Sequence, residues 1–197
     1  MRIYDISQKI FGCEVYPGDP KPERKELLSI KNGDACNLTS FSMCAHNGTH
    51  IDAPCHFIDG GAGVDKIPLF KTVGYAYVAE MNGDISADDA QRIVEKASLI
   101  NFEASKRILI KGKAVITYEA ALVFCQSGVY LLGNESQTVG PFDAPAKVHN
   151  LLLGKETALL EGVKLTDVKE GVYLLSCAPL NLENTDGSPC RAILIEL

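Results

Sequence analysis

One stretch of eleven residues restricts this chain more than any other: His46-Asn-Gly-Thr-His50-Ile-Asp52-Ala-Pro-Cys-His56. The chain has four histidines, and all but His149 lie in this run. Imidazole nitrogens and carboxylate oxygens are the usual donors to zinc and manganese, so the run reads as a ligand set. Ligands of one ion must converge. In an extended chain His46, His50, Asp52 and His56 share one side by parity. A straight strand nevertheless separates His46 from His50 by about 13 Å. A helix would bring i and i+4 together, but Gly48, the β-branched Thr49 and Ile51, and Pro54 all disfavour one. The run therefore predicts a bend at Gly48, where glycine takes backbone angles closed to other residues and leaves room beside an ion.

The rest of the chain has to build a scaffold for that bend. With 197 residues, 46% of them hydrophobic and 22% charged, it suits one folded domain over residues 1–197. The net charge is −6, and the densest basic stretch, Lys21-Pro-Glu-Arg24-Lys25, is diluted by Glu23 and Glu26. A nucleic-acid partner, which needs a basic face, is not expected. No stretch reaches the ~20 apolar residues of a membrane span, and the N-terminus lacks a signal-peptide core. A cytoplasmic protein acting on a small molecule is expected. The seven cysteines are odd in number and form no CxxC pair, which favours free thiols. Cys55 has the opposite parity to the ligand run and reads as a packing residue.

Pattern and turn chemistry predict the elements. Ile3, Tyr4 and Ile6 suggest a buried opening strand. Val73–Met81 reads as a strand, Ser86-Ala-Asp-Asp89 as a capping box, and Ala90, Ile93, Val94 and Ala97 as the inner face of the helix it starts. Arg107–Lys111 is a strand, Thr117–Gln126 a helix stopped by Gly128, and Val129–Leu132 a strand. Pro145–Leu153 is a short helix, capped by Asp143 and closed by Gly154. Val172–Ala178 and Ala192–Leu197 are late strands. Gly60-Gly61-Ala62-Gly63 lacks the phosphate-loop lysine and reads as a flexible loop near the site. The irregular alternation indicates an α/β or α+β domain with a mixed sheet.

The run H-x-G-T-H-x-D-x-P-x-H resembles the signature of the cyclase family of metal-dependent hydrolases, which includes bacterial kynurenine formamidases and isatin hydrolases. Four further blocks agree in order: Asp5-Ile6-Ser7; Tyr16-Pro17-Gly18-Asp19-Pro20; His149 followed by Leu159-Leu160-Glu161-Gly162; and Asp186-Gly187-Ser188-Pro189-Cys190-Arg191-Ala192. The resemblance implies an α/β fold, a swivelling β/β/α domain, usually as a homodimer or homotetramer. It implies one or two divalent ions, Zn2+ or Mn2+. His46, His50 and Asp52 would hold the first, and Asp52 would bridge to a second also bound by His149 and Glu161. His56 would be the proton donor and acceptor, and Tyr16 would contact substrate.

Locally, His149 on an apolar helix equally suits a core histidine, and Glu161 beside Gly162 a turn residue. The reaction implied is hydrolysis of a linear or cyclic amide, with an N-formylkynurenine-type aryl formamide as default substrate and a place in tryptophan catabolism. No G-x-S-x-G elbow offers a serine nucleophile instead. Departures concern the pocket: the chain has no tryptophan, Tyr16 stands where kynurenine formamidases carry one, the 111–117 stretch is short, and Asn134-Glu135-Ser136 replaces an Asp-Thr turn. Two other readings use the same scaffold: a metal-dependent cyclase or dehydratase, and a non-catalytic metal- or small-molecule-binding protein.

Overall fold

Alternation of side chains between two cores organises the centre of the protein. In the computed structural model, which describes residues 1–196, Tyr77, Ala79, Ile108 and Ile110 face one hydrophobic core. Their neighbours Ala76, Val78 and Leu109 face a second core on the other side of the same sheet. Strands buried on both faces read as continuous apolar runs, as Arg107–Lys111 does.

In chain order the first elements are β1 (Arg2–Asp5), β2 (Glu23–Leu28), β3 (Leu38–Ser42), β4 (His50–Asp52), α1 (Leu69–Thr72) and β5 (Val73–Glu80). Then come β6 (Gly83–Ile85), α2 (Ala87–Ile100), β7 (Arg107–Lys111), β8 (Ala114–Ile116), α3 (Tyr118–Gln126) and β9 (Leu131–Asn134). The chain continues through α4 (Ala146–Gly154), β10 (Ala158–Glu161), β11 (Gly171–Ser176), β12 (Gly187–Pro189) and β13 (Ile193–Glu196). Among the described residues, nine strands form one mixed sheet in the order β1-β13-β11-β5-β7-β9-β10-β4-β12. The run β5-β7-β9-β10 is parallel and the outer pairings are antiparallel. Helices α2, α3 and α4 cover the first core. No helix among the described residues is long and apolar enough to cross a membrane.

Most elements form where the sequence predicts them. The Ser86 capping box is present: Asp89 N donates to Ser86 Oγ at 3.2 Å, and Ser86 N to Asp89 Oδ2 at 3.0 Å. Several expectations need correction. β1 is an edge strand rather than a buried one; Ile3 is 56% exposed and only Ile6, beyond its end, is buried. The strand expected at Val129–Leu132 starts at Leu131, because Val129 N is used to close α3 on Phe124 O at 3.1 Å. Asp143 does not cap α4; Pro145, already helical at φ −70° and ψ −27°, starts it without a side-chain cap. Gly154 is the last residue of that helix, not the left-handed residue that closes it. The left-handed position falls to Glu156 (φ 58°), with Glu156 N bonded to Leu153 O and Thr157 N to Leu152 O in a Schellman closure. The Gly60–Gly63 loop packs closely, with Ala62 O accepting from Cys55 N. The last strand runs Ile193–Glu196, and Leu197 lies outside the described residues.

The β2–β3 hairpin was not predicted. Both strands are exposed along their whole length, so no apolar alternation marks them.

Candidate metal centre

The predicted bend is present: Gly48 adopts φ 68°, and the His46 and His50 rings stand 5.1 Å apart. A side chain on Gly48 would meet Cys13 Cβ at 2.9 Å, so conformation and space both require glycine there. Thr49 ties the bend down; its Oγ1 donates to Gly162 O at 2.7 Å and accepts from Gln8 N at 2.9 Å. After the bend, β4 lies between β10 and β12. In that register Glu161 is directly opposite His50, and Gly187 is opposite Asp52. Ile51 and Leu160 face the second core, so His50, Asp52 and Glu161 share the opposite face, the one covered by α4. His149 reaches in from that helix. Its Nε2 lies 3.1 Å from Glu161 Oε1 and 3.7 Å from Asp52 Oδ2.

The donors cluster around Asp52. His46 Nδ1 is 2.9 Å and His50 Nε2 3.3 Å from Asp52 Oδ1, and His149 approaches the other oxygen. His46, His50 and Asp52 form one group able to hold an ion, and Asp52, His149 and Glu161 form another. Backbone carbonyls set the tautomers. His50 Nδ1 lies 2.9 Å from Gly48 O and His149 Nδ1 2.9 Å from Pro145 O. A carbonyl only accepts, so each Nδ1 carries hydrogen and each Nε2 is left to serve as ligand. The fit to a cation shows in two orphaned atoms: His50 Nε2 and Asp52 Oδ2 are buried and make no hydrogen bond. An unmade bond at a buried polar atom is costly, and a divalent ion satisfies both.

Electrostatics agree with the geometry. Burial opposes charge on His50, but the Asp52 and Glu161 carboxylates outweigh it and push its pKa up to about 10. Burial opposes charge on Asp52 too, yet His46 and His50 hold its carboxyl well below the usual range. Burial and the Asp52 charge both raise Glu161, and His149 and His50 bring it below its ordinary value. Two buried carboxylates thus draw positive charge into the site, from protons when no metal supplies it.

His56 is on the turn Pro54–His56, outside the two groups that share Asp52; it stacks on His46 with ring centroids 3.9 Å apart and forms a third, more open donor group with His46 and Asp186. Burial pulls its pKa below the ordinary 6.5, more than the Asp52 charge raises it, so it is neutral near pH 7. It lines a cavity of about 370 Å3 with Tyr16, Phe57, Gln137, His149 and Glu161. Tyr16 stands at 5.1 Å from Phe142, ring to ring, and donates to Phe142 O at 3.1 Å. Cys55 faces Thr185 O rather than the donors, as its parity predicts. Sequence reasoning missed Gln137 and Thr138, which border the cavity, and gave Asp186 no role. Only the Asp186-Gly-Ser-Pro block carried a signal for any of them.

Comparison with known proteins identifies the class. The family model described as "Putative cyclase" matches residues 4–141, which include the His46–His56 run. A kynurenine formamidase from Erythrobacter litoralis is 30% identical over all of this chain and 94% of its own length. The chain belongs to the cyclase family. A solved structure described as a potential metal-dependent hydrolase with cyclase activity superimposes with a TM-score of 0.81. It is 27% identical, over 98% of this chain and 96% of that one. Isatin hydrolase A from Labrenzia aggregata shares the fold, with a TM-score of 0.80 and 21% identity over 98% of this chain and 93% of its own.

Proposed function

We propose that residues 1–197 form one metal-dependent amidohydrolase domain that opens a linear or cyclic carbon–nitrogen amide bond, with an aryl formamide of the N-formylkynurenine type as the first substrate to test. The observation that carries this reading is the pair of buried, unbonded donor atoms, His50 Nε2 and Asp52 Oδ2, at the centre of five convergent ligand side chains. His46, His50 and Asp52 would hold one Zn2+ or Mn2+ ion, and Asp52, His149 and Glu161 a second. Ions held there would supply a water nucleophile at neutral pH and polarise the scissile carbonyl.

The side chains do the rest. His56, neutral and on the cavity wall, accepts a proton from the attacking water and returns it to the leaving nitrogen. Tyr16 lies against the substrate's ring and keeps its own hydroxyl bonded to Phe142 O. Phe57, at 4.6 Å from the His149 ring, supplies an apolar wall of the cavity. The names of the relatives support the reaction class.

A cytoplasmic location and a homodimeric or homotetrameric assembly complete the reading, and the exposed apolar surface bears on the assembly alone. That surface is the β2–β3 hairpin with the exposed Leu27, Leu38 and Phe41, which a second copy would cover. The test is turnover of N-formylkynurenine, isatin and simple aryl formamides, before and after chelator treatment, with Zn2+ or Mn2+ restored. Chelator-sensitive, metal-restored hydrolysis of any one is the expected result. Bound metal with no turnover across the panel would point to a binding protein on this scaffold.

A further inference from the structure

The remote nitrogens of the three candidate histidine ligands are not held alike. Those of His50 and His149 are fixed by carbonyls, Gly48 O and Pro145 O. His46 has no such carbonyl: its Nδ1 faces Asp52, and its Nε2 lies 3.0 Å from Asp186 Oδ2. The Asp186 carboxylate pairs with His46 and lies 3.7 Å from His56 Nδ1. Its backbone is anchored, with Asp186 O accepting from Ala53 N at 2.9 Å at the end of β4. The His46 ring is held in a slot. One face stacks on His56 at 3.9 Å, and a side chain on Gly187 would come within 2.6 Å of His46 Cε1.

We infer that Asp186 is a positioning residue for the metal centre: its carboxylate accepts the His46 Nε2 hydrogen, which leaves Nδ1 as the ligand atom and fixes the ring plane. The inference rests on the metal-centre reading above. Carboxylate–histidine–metal arrangements orient the ring and raise its donor strength. Asp186 thereby gives His46 what carbonyls give the other two. Because His46 and His56 are stacked, a displaced His46 ring also removes the surface on which the proton-transfer group rests.

The test compares the full-length wild type with Asp186→Ala and Asp186→Asn. Zn2+ and Mn2+ affinities are measured by competition with a chromogenic chelator, and stoichiometry at saturating metal. Imidazole N–H resonances are recorded on the Zn2+-loaded, 15N-histidine-labelled protein. Asp186→Ala is expected to weaken metal binding by about 10–100-fold, the usual effect of losing such a partner, with stoichiometry unchanged. The His46 Nε2 hydrogen, slow to exchange in the wild type, should become fast. Asp186→Asn keeps an acceptor oxygen and should restore most of the protection. Wild-type affinity and unchanged His46 exchange in Asp186→Ala would overturn the inference and leave the metal centre standing. Loss of one whole equivalent at saturation would overturn it as well, and make Asp186 a ligand. A wild type that binds neither ion would overturn the metal-centre reading and this inference with it.

Discussion

Replacing Gly48 by alanine tests the bend on which the site depends. Gly48 sits at φ 68°, and an added Cβ would lie 2.9 Å from Cys13 Cβ and 3.3 Å from Cys13 Sγ. The left-handed conformation costs a non-glycine residue about 1–2 kcal/mol. Forcing a methyl group into a packed position adds about 1–3 kcal/mol. The sum, about 2–5 kcal/mol, is a large share of the 5–15 kcal/mol that holds a typical domain together. Relief requires the Gly48 backbone to move, and its carbonyl accepts from both His50 Nδ1 at 2.9 Å and Gln137 Nε2 at 3.2 Å. Gly48→Ala should therefore also weaken metal binding, by about 10–100-fold. Valine, β-branched at a left-handed position, should be worse. Gly33→Ala is the control: φ is 92° but nothing lies within 4 Å of the added carbon. It should lose only the conformational term and keep full metal affinity. Urea unfolding of the metal-free proteins and chelator competition measure the two effects. The reasoning is refuted if Gly48→Ala matches Gly33→Ala in both.

Three further outcomes are expected. His56→Ala should keep its bound metal, measured by elemental analysis, while kcat falls by about 10²–10⁴ on a working substrate; metal lost in proportion to activity would make His56 a ligand. The Arg191 guanidinium, donating to Asp5 at 3.0 and 2.6 Å, holds the Asp5 carboxyl below its ordinary 3.8. A depressed carboxyl stabilises the fold above its unfolded pKa and loses that contribution as pH falls through the folded value. Since this pair is exposed, Asp5→Asn should cost at most about 1 kcal/mol at pH 7, and the difference should shrink below pH ~4, by urea unfolding at each pH. Iodoacetamide at pH 8 should label the exposed Cys36 fast, spare the buried Cys177, and label the partly buried Cys190 slowly, because desolvation raises both thiols, Cys190 to about 12. Mass spectrometry of the peptides reads this directly, and equal labelling would contradict the burial.

Legibility in the sequence followed the range of the interactions. The His46–His56 run was legible because its donors are close in sequence and its glycine breaks both regular periods. Helix α2 was legible from Ser86 and Asp89, three positions apart in one capping box, and from the apolar spacing that follows them. The β2–β3 hairpin was not, since its strands bury nothing and carry no alternation. Gln8 was invisible for another reason. It binds Gly162 O at 2.9 Å across 154 positions, and no local pattern reports such a contact. Asp143 was misread as a cap because proline at the helix start leaves a cap less to do.

Glu161 shows how a long-range placement still follows from local chemistry. A strand shifted by one residue turns every side chain to the other face of its sheet. In β10, Leu159 belongs to the core beneath the helices and Leu160 to the core on the opposite side. That division sends Glu161 to the helix-covered face, opposite His50 and within 3.1 Å of His149. In β4, Ile51 faces the second core, and His50 and Asp52 are turned to the face that Glu161 shares. Two apolar residues, Ile51 and Leu160, paired across the strands, therefore hold His50, Asp52 and Glu161 in register. A slip that brought Glu161 to their side would bury a carboxylate among Leu109, Leu131 and Val163, with no imidazole to neutralise it. The hydrophobic pattern and the cost of burying charge select the same register, and the donors meet because of it.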